Sequence, residues 1–129
     1  MTRNPKRSPF DQTQGLGSAR GGVGHWWAQR VTAVALVPLT LWFAAALMSH
    51  ARSDYGALVL WLREPVTTVF MVLLLIALFY HMALGLRVAA EDYLHSERVR
   101  IPTVITIDLV SFALATTGVI ATLRIFLGG

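Results

Sequence analysis

Cysteine is absent from all 129 residues, which excludes disulfides, thiolate chemistry and self-ligated iron–sulfur clusters. A redox centre held by this chain must use one of its four histidines or be a diffusible ligand. Charge is scarce as well: 14% of residues are charged against 55% hydrophobic, and the mean hydropathy is +0.58. Soluble domains carry about 25% charged residues, so this balance excludes one and fits a small all-α membrane protein. Also missing are a glycine-rich phosphate loop, a nucleophile elbow and a paired-histidine metal motif. There is no internal repeat or inverted symmetry of the kind that builds transporters from duplicated halves. Chemistry supported by this chain therefore needs a catalytic head elsewhere.

What the chain has is long apolar runs. Three predicted spans, about 26–48, 66–90 and 104–127, each approach the ~20 residues a helix needs to cross ~30 Å of hydrocarbon. The second is free of charge from Val66 to Leu86. Pro38 interrupts the first, which membrane helices tolerate. Small residues (Ala44, Ala45, Ala46, then Ser111, Ala115 and Gly118) suit close helix–helix approach. Residues 1–24 form a polar, basic tail ahead of a transmembrane domain over 25–129. The tail has no apolar core before a cleavage site and no clear amphipathic pattern. It reads as a partly disordered cytoplasmic extension, part of which could lie against a soluble partner.

The pI near 10.4 does not point to nucleic acid, because the basic residues sit in tails and loops between apolar runs. Arg3, Lys6, Arg7, Arg20 and Arg30 precede or open the first span, and Arg87, Arg98 and Arg100 lie between the second and third. Only Arg52, Arg63 and Arg124 oppose them. The positive-inside rule predicts a multi-pass protein with a cytoplasmic N-terminus and a C-terminus on the opposite, periplasmic side. Trp26 and Trp27 then anchor the inner interface.

His81 is the one histidine inside an apolar run, about 8 Å from its inner end at the helical rise. A titratable ring at that depth needs a partner. It can ligate haem iron, bond a neighbouring helix or relay protons. Gly85, one turn on, leaves room beside the ring for a flat macrocycle. A single ligand from this chain would require the second axial ligand from another subunit. Arg30 can pair with a carboxylate such as a haem propionate or simply snorkel to the interface. His25, beside Trp26, either joins that cluster or is interfacial. Asp92 and Tyr93 lie about three turns beyond His81. There a tyrosine hydroxyl can bond a quinone carbonyl and an adjacent acid can feed protons; the alternative is an aromatic belt with a solvated acid. Glu91, His95 and Glu97 are expected in a solvated loop. Asp108 is expected to favour the start of the third helix electrostatically. Arg87 is expected to snorkel or to approach haem carboxylates.

Two stretches resemble the hydrophobic membrane anchor subunits of succinate dehydrogenase (respiratory complex II), of the alphaproteobacterial and mitochondrial-like type. One is Gly24-His25-Trp26-Trp27-Ala28-Gln29-Arg30-Val31-Thr32-Ala33; the other is His81, Gly85 and then Asp92-Tyr93. The resemblance covers roughly residues 19–127. It implies that His81 is an axial ligand to a haem b shared with a companion cytochrome b subunit, and that Arg30 lies near a haem propionate. It implies that Tyr93, with Asp92 beside it, contacts ubiquinone. It further implies an iron–sulfur subunit and a flavoprotein subunit that oxidises succinate, feeding electrons to quinone in the respiratory chain and tricarboxylic acid cycle. An anchor of the fumarate reductase type using menaquinone and a non-redox membrane scaffold are the competing readings.

Overall fold

A computed structural model describes the backbone of residues 9–129 and the side chains from Gly22 onward. Helix α1 runs from Pro9 to His50, α2 from Tyr55 to Leu62, α3 from Pro65 to Tyr93 and α4 from Glu97 to Phe126. No strand occurs among the described residues. Three of these helices contain segments of 29 or 30 residues long and apolar enough to cross a membrane: Gly22–His50, Pro65–Tyr93 and Glu97–Phe126. At ~1.5 Å per residue they exceed the ~30 Å hydrocarbon core, so their ends reach the headgroup zone. The all-α, three-span architecture expected from hydropathy is the one observed.

The boundaries depart from expectation in physically readable ways. Helix α1 passes unbroken through the expected tail boundary at residue 24 and through Pro38. Residues 1–8 of the expected tail lie outside the described residues. Helix α4 begins at Glu97, seven residues before the predicted span, and contains Pro102 within its second turn. Charges at Glu97, Arg98 and Arg100 end the hydropathy signal without ending the helix, and Arg100 pairs with Glu97 at 3.5 Å one turn away. The loop between α3 and α4 thus shrinks to Leu94–Ser96. Of the three residues expected there, only His95 remains in it, while Glu91 and Glu97 are helical.

The second departure is α2, an eight-residue helix in the first connection. Asp54 caps it, its side chain accepting the Ala57 N–H at 3.3 Å. Pro65 then opens α3 at a position where its missing N–H has no helical use. Thr68 Oγ1 donates toward the carbonyls of Leu62 and Glu64, both at 3.1 Å, and ties the two helices together. Arg63 Nε donates to the Ile125 carbonyl at 3.1 Å, placing a cation at the C-terminal end of α4.

Helix α3 is the middle helix and packs on both α1 and α4. Its seam with α4 is built from small residues. Ser111 and Thr122 are buried, and a Cβ on Gly118 would stand 3.1 Å from Leu75 Cδ1. The backbones approach there because glycine has nothing to displace. The core is thin, with Leu74, Ala83, Leu84 and Ala90 its buried apolar members. Large apolar side chains face outward instead, Phe112 at 73% and Val34 at 72% exposure among them. Such a surface is stable against lipid tails or partner helices, and would aggregate in water.

Candidate functional site

The inward face of α1 near its first tryptophans carries Gln29 and Thr32, three residues apart and hence on one side of the helix. Opposite them on α3 stands His81, half-buried, with both ring nitrogens turned toward α1. Thr32 Oγ1 lies 2.9 Å from His81 Nδ1, and the Gln29 side-chain nitrogen lies 3.5 Å from His81 Nε2. The first is a full hydrogen bond; the second is at the outer limit of one. Gly85 follows on the same face, and a Cβ there would come 3.7 Å from the Gln29 amide. The space beside His81 that the missing side chain provides is therefore bordered by Gln29.

A cleft of about 410 Å³ opens beyond His81 toward the ends where α1 and α3 carry their charges. His25, Trp26 and Gln29 line one wall; Leu84, Arg87 and Glu91 line the other. Arg30 is exposed and not part of this wall. Its guanidinium lies 4.6 Å above the Trp26 ring, a cation–π contact that suits an arginine at a membrane interface. Asp92 and Tyr93 occupy the last turn of α3, both exposed, with Tyr93 at 82%. Twelve residues of rise, about 18 Å, separate Tyr93 from His81. The structure thus brings His81 together with Gln29 and Thr32, sets Arg30 on a neighbouring face of α1, and leaves Asp92 and Tyr93 at the open end of α3.

A second groove, about 560 Å³, runs between α3 and α4 on the other side of α3. Its floor is apolar, with Ile76, Phe79, Ala83, Phe112 and Ala115 among its residues, and Tyr80 and Ser111 contribute hydroxyls. At its polar end Arg87 forms an ion pair with Asp108. This corrects two expectations. Asp108 lies eleven residues into α4, beyond the first turn to which helix-terminus electrostatics are confined, so its role is the pair with Arg87. Arg87 is directed to that carboxylate, which offers a charge-assisted bond on a facing helix and so outcompetes simple snorkelling. Its Nε is buried and has no hydrogen-bond partner.

Gln29 and Thr32 were legible only as letters of a motif. The signal that could have singled them out is their spacing of three on a helix opposite a lone intramembrane histidine. Among the described residues, no three His, Cys, Asp or Glu side chains cluster to hold a bare metal ion. Between α1 and α3 the described residues offer the His81 imidazole as a donor.

Three helices long and apolar enough to cross a membrane, two of them joined through an inter-helix imidazole, define a small helical membrane protein. The chain belongs to the succinate dehydrogenase/fumarate reductase transmembrane subunit family, which it matches over residues 4–121. It is similar to the succinate dehydrogenase hydrophobic membrane anchor subunit of Rickettsia bellii, 29% identical over 115 residues that cover 89% of this chain and 92% of the relative. The corresponding subunit of Rickettsia conorii is 32% identical over 94 residues, covering 72% and 75%. The succinate dehydrogenase membrane anchor subunit of Reclinomonas americana is 29% identical over 96 residues, covering 71% and 79%. The resemblance to alphaproteobacterial and mitochondrial-like anchors is borne out.

Proposed function

We propose that this chain anchors a succinate:quinone oxidoreductase in the bacterial inner membrane, where it helps hold haem b and ubiquinone and has no activity of its own. In this reading its partners are a companion cytochrome b subunit, an iron–sulfur subunit and a flavoprotein subunit. His81 supplies one axial nitrogen and the companion subunit the other. Arg30 reaches a haem propionate from the interface. Tyr93 donates its hydroxyl to a ubiquinone carbonyl, with Asp92 beside it as a proton source from the aqueous side.

The observation that carries the reading is the environment of His81. One ring nitrogen is held firmly by Thr32, while the other meets only a long contact from Gln29. Metal-ligating imidazoles are oriented in this way, with one nitrogen bonded to the protein and the other left to the metal. The donor set therefore fits one half of a bis-histidine haem site. When bound, haem would supply one-electron storage near the quinone. In this reading the chain's residues orient the imidazole and present Tyr93 at the open end of α3 to a quinone headgroup. The exposure of Asp92 and Tyr93 supports a site completed by other subunits.

The test is a reduced-minus-oxidised visible spectrum of the complex purified by a tag on this chain. A b-type α-band reducible by succinate supports the haem-bearing anchor; an intact complex without that band removes haem from the reading. For the quinone site, Tyr93→Phe is expected to lower quinone turnover while succinate oxidation with an artificial acceptor persists. Undiminished quinone turnover would take Tyr93 out of the site.

The matched family also includes fumarate reductase subunits, which favours a second reading of the same fold working with menaquinone in the reverse direction. Extraction of the quinone that copurifies with the complex distinguishes the two.

A further inference from the structure

Thr32 carries one hydroxyl proton and stands between two carbonyl oxygens and one ring nitrogen. Its Oγ1 lies 2.7 Å from the Ala28 carbonyl one turn back and 3.2 Å from that of Gln29. The shorter contact is at the optimum for an O–H···O bond, the back-bonded arrangement common for threonine in helices. With the proton committed to Ala28, the oxygen can only accept from the imidazole nitrogen 2.9 Å away. A neutral imidazole has one N–H and one lone pair, so a protonated Nδ1 puts the lone pair on Nε2. The Gln29 amide, 3.5 Å from Nε2, can donate weakly to that same lone pair. The Thr32 contact therefore selects one tautomer, and the long Gln29 contact is compatible with it.

We propose that Thr32 is a positioning residue that sets the tautomer of His81, holding Nδ1–H and presenting Nε2 as the ligating nitrogen. The proposal rests on the reading of His81 as an iron ligand for its purpose, but not for its geometry. The Gln29 amide guards Nε2 through a contact too long to resist displacement. A ligating imidazole that donates its second N–H is more basic toward the metal, which favours ferric over ferrous iron. Valine in place of Thr32 would keep the shape and lose the acceptor.

The test has two arms. In the first, the full-length chain labelled with 15N-histidine is placed in lipid bilayers, and solid-state NMR reads which His81 nitrogen is protonated. The signal is assigned by its loss in His81→Asn. The expected result is a protonated Nδ1 in the native chain and in Thr32→Ser, with that preference lost in Thr32→Val. A native chain with its proton on Nε2 overturns the proposal whether or not any variant folds, and so does a Thr32→Val chain with the native pattern. In the second arm, the haem midpoint potential is titrated in the assembled complex. Thr32→Val is expected to raise it, a tenfold shift in the ferric–ferrous ratio corresponding to about 59 mV, and Thr32→Ser to restore it. An unmoved midpoint in Thr32→Val also overturns the proposal. The expected NMR pattern in a complex that contains no haem would support the tautomer assignment and sink the ligand reading, so the two failures are distinguishable.

Discussion

Two histidines in this chain accept the same kind of help in opposite ways. His50, at the C-terminal end of α1, turns its Nδ1 to the Ala46 carbonyl of its own helix at 2.9 Å and stacks on Trp61 at 4.7 Å. Trp42 lies 6.1 Å from Trp61 and meets Phe70 edge-on at 5.2 Å, so that end of the molecule is closed by aromatic contacts. His81 stands at the other end and takes its hydrogen bond from a different helix, 49 residues away in sequence. A ring satisfied by its own helix finishes that helix. A ring bonded from across an interface ties two helices together instead, with Thr32 holding Nδ1 at 2.9 Å and Gln29 approaching Nε2 at 3.5 Å.

The sharpest way to break this comparison is to remove each ring in turn. His81→Ala is expected to lower haem content of the purified complex at least about tenfold, as loss of a ligand should exceed the ~10–100-fold cost of losing an outer partner. His50→Phe, which keeps the stacking surface, is expected to leave haem content unchanged. Equal losses in both variants would show that haem retention follows general packing.

The next largest effect belongs to the Arg87–Asp108 pair. Arg87→Met leaves a carboxylate without its counter-charge between membrane helices and is expected to cost ~3 kcal/mol. Asp108→Leu added to it should recover most of that loss, since a neutral pair has no charge to desolvate. The measurement is the unfolding midpoint of the complex in lipid nanodiscs; a double variant no better than the single one would mean the pair is not coupled.

Below this comes Gly118→Val. The added methyls meet Leu75 at a seam with little slack, and overpacking of this kind costs about 1–3 kcal/mol. The same midpoint measurement reads it, and an unchanged value would show that α4 can shift away from α3 freely. Smallest is the stability effect of His50→Phe itself, about 1 kcal/mol or less, for one hydrogen bond lost at an end still closed by aromatic stacking. A destabilisation comparable to that of Arg87→Met would make His50 more than a helix-end residue.

Hydropathy and charge read from the sequence determine the class, because insertion in a membrane is a property of local composition summed along a run. Three spans, their order and the singular position of His81 were legible for that reason. The helix ends were not, since Glu97, Arg98 and Arg100 are polar yet helical, and α2 is too short to register as an element. The family was legible from two short motifs, and the match over residues 4–121 agrees with them.

Which residue faces which depends on the rotation and register of whole helices, and these follow from packing at the small-residue seams. No local pattern announces that Thr32 and Gln29 meet His81, or that Arg87 meets Asp108 across 21 residues of chain. Asp108 shows the difference most clearly. As a letter it is an acid near the start of a span, whereas in the folded bundle it is three turns inside α4 and paired with an arginine on α3. The sequence by itself determined that this chain lives in a membrane and carries one imidazole there. The tertiary structure alone decided that Thr32 and Gln29 meet the two nitrogens of that imidazole, because a hydrogen bond between helices exists only once the helices have docked.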